Sequence, residues 1–301
     1  MAAIAVVLGT TSCRQILGLD PGVVARDAQV DTETPGDVAP DVMSDAPATM
    51  PWTNLAPVSG FAADDQDPTL TADMLELYFS RGTDIYVSTR ATVADGWGTP
   101  TLAQFAQGGP SDGSPEITPD GLILQFASDR GAVTLDVYYV ARVSRAANWS
   151  MPQPLSSVND ANFDERPGSA TTSGANLTLS SDRNGSGTGL DLYEATRAGG
   201  FGSDYYAPVR IPLSTTGEDG SPYLTGDGLT LYYASGPGGG APRDLFVATR
   251  TALTETFTMG VRIEELSTLF NDSDPWVSPD GHHIYFLSNR DGAPRIWHAS
   301  R

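Results

Sequence analysis

The sequence predicts an all-β fold: one β-propeller of five four-stranded blades, closed into a ring by a strand near the N-terminus. Three observations predict it. First, five copies of one pattern fill the chain from about residue 61 onward: Asp65-Gln-Asp-Pro68, Asp112-Gly-Ser-Pro115, Asp164-Glu-Arg-Pro167, Asp219-Gly-Ser-Pro222 and Asp272-Ser-Asp-Pro275. Their prolines are 47, 52, 55 and 53 residues apart. A period near 50 marks units too small to bury their own apolar faces, which stack to make a shared core. Second, the apolar residues within each unit alternate, and Tyr, Phe, Val and Ile are frequent among them, as in half-buried strands. Third, no amphipathic helical pattern follows residue 50.

The second unit shows the elements in order. Pro115-Glu-Ile-Thr-Pro119 reads as a first strand and Asp120-Gly121 as a tight turn. Leu122–Ala127 is a second strand, and Asp136–Arg142 is a third. Trp149–Leu155 reads as the fourth, placed at the outer edge because its prolines lack a donor. The turn recurs as Asp227-Gly228 and Asp280-Gly281, and in altered form as Asp73-Met74 and Ser173-Gly174. Every third strand ends on arginine: Arg90, Arg142, Arg197, Arg250 and Arg301.

Asp272–Arg290 runs Asp-x-x-Pro-Trp-Val-Ser-Pro-Asp-Gly and then closes a strand on Phe-Leu-Ser-Asn-Arg. Together with the Ile-Tyr strands, this resembles the TolB-like, PD40 (WD40-like) propeller repeat. The resemblance covers about four-fifths of the chain. It implies a propeller, and contact with a protein or cell-envelope ligand through the loop face or central channel. It does not imply a particular activity.

The fifth unit stops after its third strand, whereas Trp52-Thr-Asn-Leu-Ala-Pro-Val58 resembles the outer-strand segments at Trp97 and Trp149. Residues 52–58 are therefore expected to complete the last blade and remove an open sheet edge. The alternative is a sixth, degenerate blade, but residues 19–50 carry no strand pattern from which to build it.

The organisation reads as residues 1–13, 14–50 and 51–301. The first segment is an apolar run ending Thr10-Thr-Ser-Cys13, too short to span a bilayer. It resembles the end of a signal peptide with a bacterial lipoprotein cleavage box, with Thr10 where leucine is usual, and implies lipidation of Cys13. The second segment is rich in Asp, Pro and Ala and reads as a disordered acidic tether. The layout is that of an exported lipoprotein, periplasmic or at the outer membrane or cell surface, touching a membrane only through its anchor and expected to be monomeric. Cys13 is the only cysteine, so no internal disulfide is expected. The chain of 301 residues carries a formal charge of −20, and all 17 basic residues are arginine. That balance argues against nucleic acid as a partner.

Strand alternation places Asp65, Asp112, Asp164, Asp219 and Asp272 on one face. The same face carries the loops Arg81–Thr83, Ser128–Leu135, Ser181–Leu190, Ser235–Arg243 and Ser288–Pro294. Arg81, Asp129, Arg130, Asp182, Arg183, Asn289 and Arg290 are the candidate ligand-facing residues of these loops. The repeated aspartates are expected to serve the fold by accepting N–H bonds or pairing with arginines such as Arg130, Arg183 and Arg290. The alternative is a carboxylate ring at the channel mouth holding Ca²⁺. No other cofactor is expected. The third-strand arginines are expected to pair with the turn residues Asp120, Asp227 and Asp280.

A non-catalytic binding or scaffolding module is the expected function, and no catalytic residue is assigned. No Gly-x-Ser-x-Gly elbow is present, and His282, His283 and His298 lack the spacing of a zinc site. The alternative is a glycoside hydrolase-like enzyme using channel carboxylates, for which Glu116, Glu165 and Glu218 are the non-repeated candidates.

Overall fold

The structure, a computed structural model, describes residues 50–106, 109–131, 133–183, 189–199 and 204–301. All of its strands lie in the unit Thr49–Arg301. Cys13 and the acidic segment fall outside the described residues.

Strand β1 (Thr53–Pro57) precedes four complete blades. The first blade is β2 (Asp65–Leu70), β3 (Glu76–Arg81), β4 (Asp84–Thr89) and β5 (Thr101–Leu102). The second is β6 (Asp112–Ile117), β7 (Ile123–Ser128), β8 (Asp136–Ala141) and β9 (Gln153–Pro154). The third is β10 (Glu165–Ala170), β11 (Asn176–Ser181), β12 (Asp191–Thr196) and β13 (Val209–Arg210). The fourth is β14 (Glu218–Leu224), β15 (Thr230–Gly236), β16 (Asp244–Thr249) and β17 (Val261–Arg262). The fifth has β18 (Asp272–Val277), β19 (His283–Ser288) and β20 (Arg295–Ser300), and β1 completes it in the order β1-β20-β19-β18.

The expected closure is present. Thr53 pairs with Ser300, Ala56 with His298 and Pro57 with Trp297, all antiparallel. Trp52 is buried among Ile284, Phe286, Trp297 and Ala299, and it stacks under Arg301 with the guanidinium 4.3 Å from its ring centre. The other four blades make the same stack from within, at 4.2–4.4 Å: Arg90 on Trp97, Arg142 on Trp149, Arg197 on Tyr205 and Arg250 on Phe257. The fifth blade borrows its aromatic from the N-terminal segment.

The apolar core is divided among the seams between blades, as expected for units that cannot bury their own faces. Tyr78 and Ile85 of the first blade pack with Phe126 and Tyr138 of the second. Leu70, Leu77 and Phe79 of the first pack with Trp276 and Tyr285 of the fifth.

Three expectations about elements need correction. The inner strands begin at the motif's acidic residue, not at its proline: Asp112 already pairs with Ser128. The extra residues are absorbed by a bulge at the register shift between Gly113 and Glu116, so the proline sits where no ladder donor is lost. The outer strands of the first four blades are two residues long, Gln153–Pro154 in place of Trp149–Leu155 in the second, where Trp149 leaves the ladder to cover Arg142. Finally, Asp120, Asp227 and Asp280 do not pair with the third-strand arginines. Each accepts from a Thr or Ser hydroxyl two residues earlier and from an N–H two residues later, which caps its own turn. The arginine Nε donates to the turn carbonyl instead, as Arg142 does to Gly121 at 2.7 Å. That carbonyl is exposed by a residue with positive φ: Gly121, Gly174, Gly228 and Gly281 in four blades, and Met74 (φ 56°) in the first.

Candidate functional site

One acidic residue at the head of each inner strand is buried and serves its own blade: Asp65, Asp112, Glu165, Asp219 and Asp272. Asp65 accepts two bonds from Arg81, at 2.6 and 2.8 Å, and one from the Ala62 N–H at 2.7 Å. Arg130 reaches both oxygens of Asp112 at 2.6 Å. Asp272 accepts from Arg290 at 2.7 Å and from the Thr268 N–H and hydroxyl at 2.7 and 2.8 Å. Asp219 lacks an arginine among the described residues. It accepts only from Thr215, through one oxygen, while its other oxygen has no partner there.

The third blade departs from the expected ring. Glu165, not Asp164, pairs opposite Ser181 at the position the aspartates hold elsewhere. It is fully buried, 2.9 Å from Arg183, and hydrogen-bonded by the Ser181 hydroxyl and the Asp160 N–H. The reason is a one-residue offset. This motif is effectively Glu-Arg-Pro, and its bulge falls after Pro167 rather than before it. Asp164 is left at the rim, 3.4 Å from Arg166.

The remaining loop candidates are similarly engaged. Asp129, Asp182 and Asn289 accept N–H bonds at 2.8–2.9 Å from Ser111, Asp164 and Asn271, bridging the second loop to the residue that precedes the inner strand. Arg81, Arg130, Arg183 and Arg290 are spent on the buried acids and stack on the blade's own aromatics. The acids therefore do not converge on one point, and among the described residues no group of three His, Cys, Asp or Glu has the geometry of a metal site.

The side chains that do converge are two positions further along the motif. The residue before each proline faces the central channel: Asp67, Ser114, Arg166, Ser221 and Asp274. Four of these have positive φ, namely Asp67 (52°), Ser114 (46°), Ser221 (51°) and Asp274 (54°). That conformation is sparsely populated for non-glycine residues and costs about 1–3 kcal/mol each, so the surrounding fold must impose it. The bulge turns these side chains into a cavity of about 560 Å³ at the channel mouth. Its wall carries six carboxylates (Asp67, Glu116, Asp164, Asp182, Glu218 and Asp274) and two guanidiniums (Arg166 and Arg243).

Asp67 and Asp274 lie on neighbouring blades across the closure. Asp67 accepts from the Ser80 hydroxyl at 2.7 Å and the Ser114 N–H at 3.3 Å. Asp274 accepts from the hydroxyls of Ser221 and Ser273. Burial and the charge of Asp274 push the Asp67 carboxyl up to about 7, against the opposing pull of its hydrogen bonds and Arg166. Deeper in the channel, Glu116 accepts from the Thr69 hydroxyl at 3.2 Å. Burial first, then Asp274 and Asp67, raise it well above the usual carboxylate range. Below Glu116 the channel narrows to a space of about 30 Å³ among Leu70, Ile117, Tyr223, Leu224 and Trp276. Of the residues read from sequence as enzyme candidates, Glu116 and Glu218 line the cavity and Glu165 does not. Asp67 and Asp274 were missed. Their signal was the second aspartate of Asp-Gln-Asp-Pro and Asp-Ser-Asp-Pro, found in two motifs and replaced by Ser or Arg in the others.

No family model matches the chain, and no curated protein matches it in sequence. Solved structures do match it in fold. TolB from Acinetobacter baumannii is 19% identical with a TM-score of 0.51, over 79% of this chain; the chain spans about half of that protein, 55%. An alpha-L-arabinofuranosidase from Podospora anserina, solved in complex with cellotriose, is 14% identical with a TM-score of 0.55, covering 83% of this chain and 96% of that one. An alpha-L-arabinofuranosidase from Lactobacillus brevis is 13% identical with a TM-score of 0.55, covering 81% and 92%. At such identities the likeness is one of fold alone; the five four-stranded blades are this chain's own.

Proposed function

We propose that the chain is a binding module of the cell envelope that grips a cationic group of a partner protein at the mouth of its central channel. The observation that carries this reading is the wall of the channel cavity, where Asp164, Asp182, Glu218 and Asp274 face two arginines while burial disfavours the charge on Asp67 and Glu116. An excess of one sign in a concave, partly dehydrated site focuses the field and selects the opposite charge. The strained residues that build the wall are held there at a cost in stability, which fits a site kept for use. The fold shared with TolB supports the reading at the level of architecture. A photo-crosslinking residue at Gln66, on the cavity rim, should trap a discrete protein when the chain is expressed in its own host. The same residue at the exposed Val143, beyond the end of a third strand, should not. Equal trapping at both positions, or none at Gln66, overturns the proposal.

Export and anchoring belong to the same proposal and rest on the resemblance of residues 1–13 to a lipoprotein leader. Cys13→Ser should abolish partitioning into the detergent phase. An unmodified peptide covering residues 1–13, recovered from the native host, would refute lipidation.

One observation favours a second reading, a glycoside hydrolase. Burial and neighbouring carboxylates raise Asp67 to about 7 and Glu116 well above the usual carboxylate range beside Asp274, and a carboxyl of raised pKa beside a second carboxylate is what glycoside hydrolysis needs. Release of nitrophenol from an aryl arabinofuranoside, lost in Asp274→Asn and in Glu116→Gln, would establish it in place of the binding reading.

A further inference from the structure

At the rim where the third strands end, Arg90, Arg142, Arg250 and Arg301 each reach toward the preceding blade. In two seams the arginine meets a carboxylate there. Arg142 lies 2.5 Å from Glu76, the first residue of β3. Arg250 makes bonds of 3.0 and 2.8 Å to Glu194, the fourth residue of β12. In the closure seam the same two positions carry His283, the first residue of β19, and His298, the fourth of β20. The arginine facing them is Arg90. It donates to the carbonyls of Met74 at 2.8 Å and Val93 at 3.2 Å and hydrogen-bonds Tyr285, and among the described residues it has no carboxylate partner. Beside it lies a cavity of about 350 Å³, walled by Val58, Met74, Val93 and Trp97 and bordered by both histidines.

The two imidazoles form a single unit. His283 Nδ1 and His298 Nε2 are 3.0 Å apart, while the ring centres are 5.2 Å apart with planes 20° from parallel. The difference between those separations is taken up by the two ring radii, so the rings meet edge to edge along one N–H···N bond rather than face to face. Lone pairs so aligned share a proton and cannot converge on one metal ion. Burial, His283 and Arg90 together hold His298 down at about 4. The other charged groups near the pair are Asp280 and His282, whose turn is already closed on itself.

We propose that the closure seam binds a monoanionic carboxylate carried on an apolar body. Arg90 takes the carboxylate in the place Glu76 and Glu194 fill in other seams, with the histidine pair at its side. The apolar walls and the single guanidinium charge suit a carboxylate better than a dianionic phosphate. The site shares no lining residue with the channel cavity. An added negative charge raises a neighbouring imidazole, so binding should tighten by no more than about twofold as the pH falls from 7 toward 5.

The chain has three histidines, so their C2 proton signals can be followed by NMR in the full-length protein. Millimolar benzoate should raise the titration midpoint of His298 by about one unit and raise the melting temperature by mass action. Benzamide, its neutral isostere, should do neither. His283→Glu places a carboxylate in front of Arg90; it should leave the protein at least as stable and erase the benzoate response. A dipeptide ending in phenylalanine with a free carboxylate, compared with its amide, separates a peptide terminus from a free aromatic acid as the natural source. A response to neither acid, an equal response to benzamide, or a response that survives in His283→Glu overturns the proposal.

Discussion

Asp67 shows how one side chain ties the cavity to stability. Its folded pKa is raised from the usual 3.8 to about 7. Between those values the folded protein holds a proton that the unfolded chain has released, so this group makes stability fall as the pH rises from about 4 to about 7. The cavity admits solvent, which screens the effect, and a contribution of about 1–2 kcal/mol is expected. Asp67→Asn should therefore raise the unfolding free energy at pH 8 by about that amount and leave it unchanged at pH 4, as measured by urea denaturation. The buried acids at the head of each inner strand make a second contrast. Asp112→Asn leaves Arg130 with a neutral partner inside the fold and should cost about 3 kcal/mol or more. Asp219→Asn removes no ion pair and relieves an unpartnered oxygen, so it should cost under about 1 kcal/mol. Calcium at millimolar concentration should leave the melting temperature of either variant and of the parent unchanged. The repeated acids were legible in sequence because they repeat. The channel-facing residues were not, since a position that varies between motifs offers no periodicity to read, and only the bulge reveals where it points.

At the scale of elements, the sequence announced the strands but not their limits. The second and third strands were visible from alternation, because one face of each packs into a seam. The outer strands looked longer than they are, because Trp97 and Trp149 carry the hydrophobic signal of a strand while serving as lids over arginine. The offset at Glu165 was hidden for a related reason: Asp164 keeps the letter pattern, while the register decides which acid is buried. The lid function gives an element-scale prediction. Trp52→Ala removes the buried ring and the stack on Arg301 in the one blade made of two distant segments. It should destabilise the protein by about 3–5 kcal/mol. Leu55→Ala, at an exposed position of the adjoining strand β1, should change stability by less than about 0.5 kcal/mol. Parallel thermal melts of the two variants check this, and comparable losses would show that β1 contributes pairing alone.

On the scale of the whole molecule, five seams share the apolar core and none belongs to a single blade. Blade number and ring closure followed from the repeat period and from a strand-like segment placed before the first repeat. What the period could not show is that the five seams differ in chemistry. Two are bridged by Arg–Glu pairs, while the one that closes the ring carries histidines in their place. Repetition fixes the scaffold, and function has to be sought where the copies disagree.

The strand that closes the ring also sets a timetable. Thr53 is among the first residues of the propeller to leave the ribosome, and its partner Ser300 lies 247 residues later. Until that residue emerges, four blades can assemble while Trp52 and the edge of the fifth sheet stay uncovered. Vectorial synthesis therefore delivers an unlatched molecule, exposed to proteases and to edge-to-edge association. Stalled nascent chains ending near residue 290 should be cleaved rapidly by a soluble protease between residues 50 and 60. Chains extended beyond residue 301 by a linker that clears the ribosome should resist. Protection already present in the shorter chains would show that the first strand finds shelter elsewhere before its partner arrives.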